Sequence, residues 1–401
     1  MIMFRTTAHK LGVATILAIL GTVPAGRVLA QKSGEVVFGD EPPGKRIRMS
    51  VDASAGYDDN TYETPDNEQA SFFTTLGAQV DVSLGDTRTS LDLYLGGSAT
   101  WYPDRDDQDA DYSVRFGAHA FHNLSEKFDL FADIDVAYQV EPDYGDVFTS
   151  NRRNGDYFLT NLSGGVKSQW TERFSTTTTF NYVNVSYVDD SFGDFYNRNE
   201  YGFSNAFSFS LKPSTNLVAE YRFRLYDQED DTRDATSNYL LVGMDQEFSE
   251  RLKANFRTGV EFRDFDDIGL QTAPYFESTV TYLGPNQSSI SWISRIGYEV
   301  SDTIDYDERF TYRTGFSWIQ GLTARLRSDV GLYYQHNTYS GNEDSAADFD
   351  EDVFSVNAGL IFAVNRHLQL NTNYSYSTVK SDDFFREYDR NVVSAGLKLL
   401  F

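Results

Sequence analysis

The stretch Asn391–Phe401 alternates strictly between apolar and polar side chains. A period of two is typical of a β-strand with one apolar face and one polar face. The apolar face comprises Val393, Ala395, Leu397, Leu399 and Phe401. Left unpaired, such a strand would form a sheet edge to which other chains can add. Pairing with the first strand of the same chain removes that edge, so the stretch predicts a sheet that closes on itself.

The same alternation recurs from Arg46 onward and divides the chain into eighteen predicted strands. The mean hydropathy is only −0.46 although 15% of the residues are aromatic. A membrane barrel reconciles these values, because only every second residue of a strand faces lipid. No stretch beyond the N-terminal region is long and apolar enough for a membrane helix. We therefore predict an all-β fold, a closed antiparallel transmembrane β-barrel of about 18 strands with both termini periplasmic.

Short and long connections alternate along the predicted strands. The short turns are Gly85–Thr87, Leu124–Lys127, Thr171–Arg173, Lys212–Thr215, Ser249–Arg251, Gly284–Gln287, Gln320–Gly321 and Asn365–His367. The long loops include Asp58–Gln69, Glu141–Asp156, Asp227–Thr236 and His336–Asp352. This asymmetry is typical of outer-membrane barrels, which have short periplasmic turns and longer external loops. The hairpin repeat also fits a soluble propeller, but the alternation of loop lengths favours the barrel.

The N-terminal region has the features of a secretory signal peptide. Arg5 and Lys10 precede the apolar segment Leu11–Leu20, and small residues at Val28–Ala30 suit cleavage. An uncleaved membrane anchor is the alternative. The following stretch contains Pro42-Pro43 and predicts an unfolded lead-in. The predicted parts are a cleaved signal peptide at residues 1–30, a periplasmic lead-in at 31–45 and the barrel at 46–401.

The chain is acidic, with a net charge of −26 and no cysteine. This charge argues against nucleic acid as a partner. Acidic residues concentrate in the predicted external loops, for example Asp104–Asp111 and Asp348–Asp352. Divalent cations could bind there and link the loops to lipopolysaccharide, but solvated acidic loops explain the pattern as well. No loop has the spacing of a calcium-binding motif.

The polar faces of the strands predict two charged walls inside the barrel. The basic wall comprises Arg222, Arg224, Lys253, Arg257, Arg263, Arg295, Arg313, Arg325 and Arg327. The acidic wall comprises Asp81, Asp92, Asp129, Asp133 and Asp135. Facing lipid at the midplane, each Arg or Lys would cost about 2–4 kcal/mol, so we expect them to face inward. The walls could orient charged solutes across a water-filled pore, or form cross-strand ion pairs that stiffen the barrel.

Signals for enzymatic activity are weak. The best candidate is His336 near Glu343 and Asp344. The sequence has no glycine-rich phosphate loop, no metal-binding cluster of His and Cys, and no nucleophile elbow. We therefore predict neither catalysis nor a cofactor.

Two sets of short motifs carry a resemblance to known proteins. Ala55–Asn60 followed by Phe72–Leu76, together with the strand exits Tyr226-Asp227 and Tyr388-Asp389, resembles the family called beta-barrel porin 2. Phe401 and the apolar residues before it resemble the C-terminal signature of bacterial outer-membrane barrels. The first resemblance covers about Ile47 to Phe401. It implies an outer-membrane barrel, associated in some members with exopolysaccharide production and export. The second implies recognition by the barrel-assembly machinery.

The leading functional prediction is an outer-membrane, porin-like channel for small polar solutes or saccharides. One alternative is an accessory protein of exopolysaccharide export. Another is a structural or adhesive barrel with a plugged lumen. At eighteen strands the lumen is wide enough for an aqueous channel unless loops fold into it.

Overall fold

The computed structural model describes residues 47–105, 110–140, 155–189, 193, 196–229, 233–266, 269–286, 288–303, 306, 308–340 and 348–401. The predicted signal peptide and lead-in lie outside these residues, as do parts of the long loops. Among the described residues, no helix is long and apolar enough to cross a membrane.

Eighteen strands account for most of the described chain, as the alternation predicted. The first nine are β1 Ile47–Asp58, β2 Ser71–Gly85, β3 Thr89–Trp101, β4 Ala110–Ser125, β5 Phe128–Val140, β6 Asp156–Gln169, β7 Phe174–Tyr187, β8 Arg198–Lys212 and β9 Thr215–Gln228. The others are β10 Ala235–Glu247, β11 Leu252–Phe265, β12 Gly269–Leu283, β13 Ser289–Val300, β14 Glu308–Gly321, β15 Leu326–Ser340, β16 Phe349–Asn365, β17 Leu368–Ser381 and β18 Tyr388–Leu400. A short 3-10 helix, Phe384–Arg386, lies between β17 and β18.

Every strand pairs antiparallel with its sequence neighbours, and β1 pairs with both β2 and β18. In the closing pair, Val51 lies opposite Leu399 and Tyr57 lies opposite Val393. The backbone N–H of Phe401 continues this pairing by donating to the carbonyl of Met49 at 2.9 Å. The sheet is therefore a closed barrel, and the predicted pairing of the last strand with the first is confirmed.

The short connections lie at one end of the barrel and the long connections at the other. The short ones, between β2 and β3 and between each later even strand and the next, share one end with Ile47 and Leu400. We call this the turn end, and the opposite end, with the long connections, the loop end. At the turn between β2 and β3, Gly85 adopts φ 101°, a conformation that favours glycine. The Asp86 carboxylate accepts from the N–H groups of Arg88 and Thr89, and these bonds lower its pKa.

Alternate residues of each strand face the two sides of the barrel wall. On the outside, large apolar side chains such as Phe72, Leu240 and Val242 are well exposed, at 65%, 58% and 60%. The inside carries mostly polar and charged side chains, many of them buried against one another. The molecule is therefore apolar where a bilayer would surround it and polar within, the reverse of a soluble barrel.

Candidate lumen site

The five predicted acidic-wall residues lie on the inward faces of β2, β3 and β5, and four of them have polar side-chain partners within hydrogen-bond distance. Asp135 accepts two hydrogen bonds from Arg115 at 2.7 and 2.8 Å and one from the Tyr94 hydroxyl. Asp133 contacts His119 at 2.5 Å. Asp129 accepts from Asn123, Asp81 accepts from Gln79, and Asp92 is exposed. This wall therefore has cationic partners that the sequence-based prediction did not assign.

Most of the predicted basic wall forms ion pairs on β9–β14. Arg222 lies between Glu220 and Glu277, each with a contact of 2.5 Å. Arg257 pairs with Asp245 at 2.7 Å and Glu220 at 3.4 Å. Each of these guanidinium groups therefore has a carboxylate of its own, which matches the ion-pair interpretation better than that of a free basic wall.

The same pattern continues toward the loop end. Arg263 pairs with Glu261 at 3.0 Å. Three guanidinium groups share the single carboxylate of Glu299, those of Arg295, Arg309 and Arg313, at 3.5, 3.3 and 2.9 Å. Arg309 also contacts Asp302 at 3.5 Å, so these arginines form one connected group of ion pairs.

Three further predicted basic residues lie near the turn end. Lys253 and Arg327 are on the wall, and Arg325 is in a turn. Lys253 pairs with Glu247 at 2.5 Å and is about half exposed. Arg327 is buried on β15. Arg325 was wrongly predicted as a wall residue: the turn predicted at Gln320–Gly321 occupies residues 322–325, so Arg325 is an exposed turn residue.

Arg222 and Glu277 lie on β9 and β12, which are not adjacent. Three strand spacings correspond to about 14 Å along a flat sheet, more than these side chains can span. The curvature of the barrel turns both side chains toward its axis and brings them together. The sequence pattern does not reveal this pairing, because alternation relates side chains only along one strand and to its adjacent strands.

The sequence analysis did not identify several residues of the lumen site. Arg309 lies on the same face of β14 as Arg313, so correct strand bounds would have included it. Arg390 on β18 donates from Nε to Oδ1 of Asp58 on β1 at 2.9 Å, so an ion pair links the last strand to the first. Arg386 lies in a connection, where the alternation gives no signal.

Burial of the inward residues changes along the barrel axis. In the half of the barrel nearer the turn end, the side chains of His119, Asp133 and Lys253 are 51%, 41% and 46% exposed. Near the loop end, Glu261 and Tyr339 are fully buried. The described part of the lumen is therefore filled by side chains toward the loop end and more exposed in the turn-end half of β4, β5 and β11, whereas Arg327 and Gln369, near the turn end of β15 and β17, are buried.

Residues from the long connections help to fill the loop end. Arg386 donates to Glu351 at 2.8 Å and pairs with Asp302, from the connection between β13 and β14, at 3.2 Å. Burial opposes the charge of Arg386, but Asp302 and the groups near it raise its pKa, so it stays cationic. Arg233, between β9 and β10, donates to the carbonyl of Ser301 at 2.8 Å. We call these contacts of Arg233, Ser301, Asp302, Glu351 and Arg386 the loop-end network.

The candidate catalytic histidine lies away from the lumen. His336 shares the outward face of β15 with Tyr334, and both bond the Asp352 carboxylate, at 2.9 and 2.7 Å. Glu343 and Asp344 lie outside the described residues. Within the described ranges, no three His, Asp or Glu side chains converge as a metal site would require.

A closed antiparallel barrel with an apolar exterior and a charged lumen defines a porin-like membrane barrel. Residues 46–401 match the family model described as "Putative beta-barrel porin 2". The chain belongs to this family, which confirms the resemblance noted in its motifs, and the protein is located in the outer membrane. The family consists of porins rather than enzymes.

Solved structures to which the chain is similar include proteins of two organisms. OccK9 (OpdG) of Pseudomonas aeruginosa is 12% identical, with a TM-score of 0.48, and the match covers 88% of this chain and 98% of that one. OpdK of the same organism is 10% identical, with a TM-score of 0.45 and coverages of 88% and 99%. The siderophore receptor PirA of Acinetobacter baumannii is 7% identical, with a TM-score of 0.45 and coverages of 90% and 81%. No curated protein matches the sequence.

Proposed function

We propose that this barrel is a channel through which small polar solutes or saccharides cross the outer membrane. The observation that carries the proposal is the polar, charged inner face of a closed barrel whose outer face is apolar. Water and polar solutes can contact such a lining, whereas a barrel that served only as an anchor could fill its interior with apolar side chains. The turn end would face the periplasm, as in other bacterial barrels with this loop asymmetry.

Single-channel recording in planar bilayers tests the proposal. The purified protein should produce discrete conductance steps in KCl, and raising the concentration of a neutral sugar such as glucose should reduce them as sugar enters the pore. Protein that inserts into the bilayer but conducts no ions would contradict the channel proposal. Insertion is checked independently by the different gel mobility of folded and heated protein.

The filled loop end favours a second candidate, a structural or adhesive barrel whose lumen is plugged. Buried residues of the connections, such as Arg233 and Asp302, support it. A plugged barrel would stay silent in the bilayer recordings, whereas a constricted channel would conduct with small steps. The same experiment therefore decides between the two candidates.

A role in exopolysaccharide export rests on the family resemblance alone. We propose it as the third candidate, tested by whether deletion of the gene reduces secreted polysaccharide. The expected partners are proposals of the same kind: lipopolysaccharide and divalent cations at the acidic loops, and the barrel-assembly machinery at Phe401. Removing Phe401 should slow membrane insertion of newly made protein if that machinery reads the C-terminal strand.

A further inference from the structure

The backbone ladder between β12 and β13 stops short of the loop end. Its last rung joins Phe276 to Ile296. Beyond that rung, residues 269–275 of β12 pair with β11 and residues 297–300 of β13 pair with β14, but the described ladder does not join these two segments to each other. Pro274 lies in this part of β12 and has no N–H to donate, as is typical of a sheet edge. The barrel wall therefore has a gap in its backbone hydrogen bonding here.

Beyond the gap, the end of β13 lies against the inner face of the wall. Val300 shares the outward strand face of Ile296, yet it packs against a buried cluster of inward-facing side chains on β9–β11, namely Tyr226, Ala235 and Phe265. The rings of Phe265 and Tyr298 are 6.0 Å apart. At Gly297 a Cβ would lie 2.8 Å from the ring of Tyr275, so glycine permits this close approach. We call residues 297–303 the β13 end segment.

Two side chains of β11 bond the backbone of the β13 end segment in place of a ladder. The N–H of Tyr298 donates to the Glu261 carboxylate at 3.3 Å. Arg263 donates to the carbonyls of Tyr298 and Glu299 at 3.5 and 3.4 Å. The Ser237 hydroxyl of β10 donates to Glu261 and accepts from Arg263, both at 2.8 Å. Glu261 and Arg263 are therefore held closely by the wall and hold the segment by longer, weaker hydrogen bonds.

The β13 end segment also fills the lumen at the loop end. The carbonyl of Ser301 accepts from Arg233, between β9 and β10, at 2.8 Å. The Asp302 carboxylate accepts from the Tyr339 hydroxyl of β15 at 2.8 Å and pairs with Arg386 at 3.2 Å. The segment therefore contacts the wall on two sides, and its displacement would remove part of the loop-end network.

We propose that the β13 end segment is a gate. It leaves the inner face of the wall when the hydrogen bonds from Glu261 and Arg263 break, and this movement opens the loop end of the lumen. Long side-chain hydrogen bonds break at lower cost than a continuous backbone ladder, so the wall opens locally at this point. The gate rests on the proposed function, since it explains how a lumen that is filled at one end conducts.

The first test removes the side-chain bonds to the segment. Glu261→Met with Arg263→Met removes both charges together, so neither is left buried alone. Amide hydrogen exchange in residues 297–303 of the full-length protein in lipid vesicles should become about tenfold faster, because hydrogen bonds to charged groups are lost. In planar bilayers this variant should give larger conductance steps than the wild type.

Arg198→Met with Glu200→Met is the matched control. These residues also form an ion pair two positions apart on one strand, toward the loop end of β8, but the ladders on both sides of β8 continue as far as Arg198. Exchange in residues 297–303 should therefore match the wild type. Gel mobility shows whether each variant is folded.

The second test locks the segment and does not depend on the folding of the first variant. The chain has no cysteine, so Arg233→Cys with Ser301→Cys can be joined by a short bifunctional methanethiosulfonate. Joining these positions should lower the conductance of the double-cysteine protein, and a reducing agent should restore it. Each single-cysteine variant, treated in the same way, is the control and should keep its conductance.

Unchanged exchange in the folded Glu261→Met, Arg263→Met protein would overturn the gate. So would a wild type that conducts with steps that neither release nor cross-linking of the segment changes, a result that refutes the gate and leaves the channel standing. If both the wild type and the released variant insert but stay silent, the channel is refuted and the gate with it. A silent wild type whose released variant conducts supports both.

Discussion

Ion pairs occur at both ends of the lumen, but in different environments. At the loop end, Asp58–Arg390 and Glu261–Arg263 are almost completely buried, with side-chain exposures of 3% or less. In the half of the barrel nearer the turn end, Glu247–Lys253 and Asp133–His119 are about half exposed. Removing one partner from a buried pair leaves a charge without water or counter-charge. Removing one from an exposed pair leaves a charge that water solvates. The two ends should therefore respond very differently to the same type of substitution.

The largest effect is expected at the closing pair of strands. Asp58→Ala removes the carboxylate that accepts from Nε and Nη2 of the buried Arg390 guanidinium, which keeps its contact with Glu63 at 3.5 Å, and should lower the free energy of unfolding by about 3 kcal/mol. The measurement is urea-induced unfolding in lipid vesicles, followed by tryptophan fluorescence. Asp92→Ala, which removes an exposed inward carboxylate from β3, is the control and should change stability by less than about 0.5 kcal/mol.

A triple variant sharpens this prediction. Asp58→Leu with Arg390→Met and Glu63→Gln removes all three charges of this group and should be more stable than Asp58→Ala alone. If the triple variant lost as much stability as the single one, the packing of the closing strands rather than the unpaired charge would be responsible.

An intermediate effect is expected in the loop-end network. Arg386→Ala removes the contacts with Glu351 and Asp302, and hydrogen bonds to charged groups contribute roughly 1.5–3 kcal/mol. Because the affected segment is a connection, we expect local opening rather than global unfolding. Amide hydrogen exchange in residues 382–387 should become faster. Arg173→Ala, in an exposed turn at the other end, should leave exchange in that segment unchanged. Equal exchange in Arg386→Ala and wild type would show that the network does not hold the connection.

The smallest effect is expected at the turn end. Lys253→Ala breaks the pair with Glu247, which water screens on both sides, and should cost no more than about 1 kcal/mol in the same unfolding assay. A loss as large as that of Asp58→Ala would remove the distinction between the two ends of the lumen.

The sequence predicted most of the fold, because the relevant signals are local. Alternation along each strand reflects backbone geometry, so it identified the eighteen strands and their apolar faces. Predicted strand ends were displaced by a few residues where the alternation of apolar and polar side chains continues into a turn. The turn at residues 322–325 is the clearest case, since Leu322 and Ala324 continue the alternation into the turn and brought Arg325 onto the wall.

The candidate site was predicted less completely. Alternation showed that Arg222, Arg257 and Arg263 face inward, but not that each has a carboxylate partner. It also did not show that Arg325 lies in a turn rather than on the wall. Such distinctions depend on which side chains meet across the lumen, and residues on different strands are far apart in the sequence.

The sequence by itself determined the closed, antiparallel arrangement, since alternation and connection lengths follow from strand geometry and chain order. Only the tertiary structure decided which charges are neutralised and which end of the lumen is filled. The contact between Arg386 and Asp302 joins residues 84 positions apart, and Arg222 reaches Glu277 across two intervening strands. Both depend on the curvature of the closed wall, which brings distant side chains to a common axis and which no local pattern encodes.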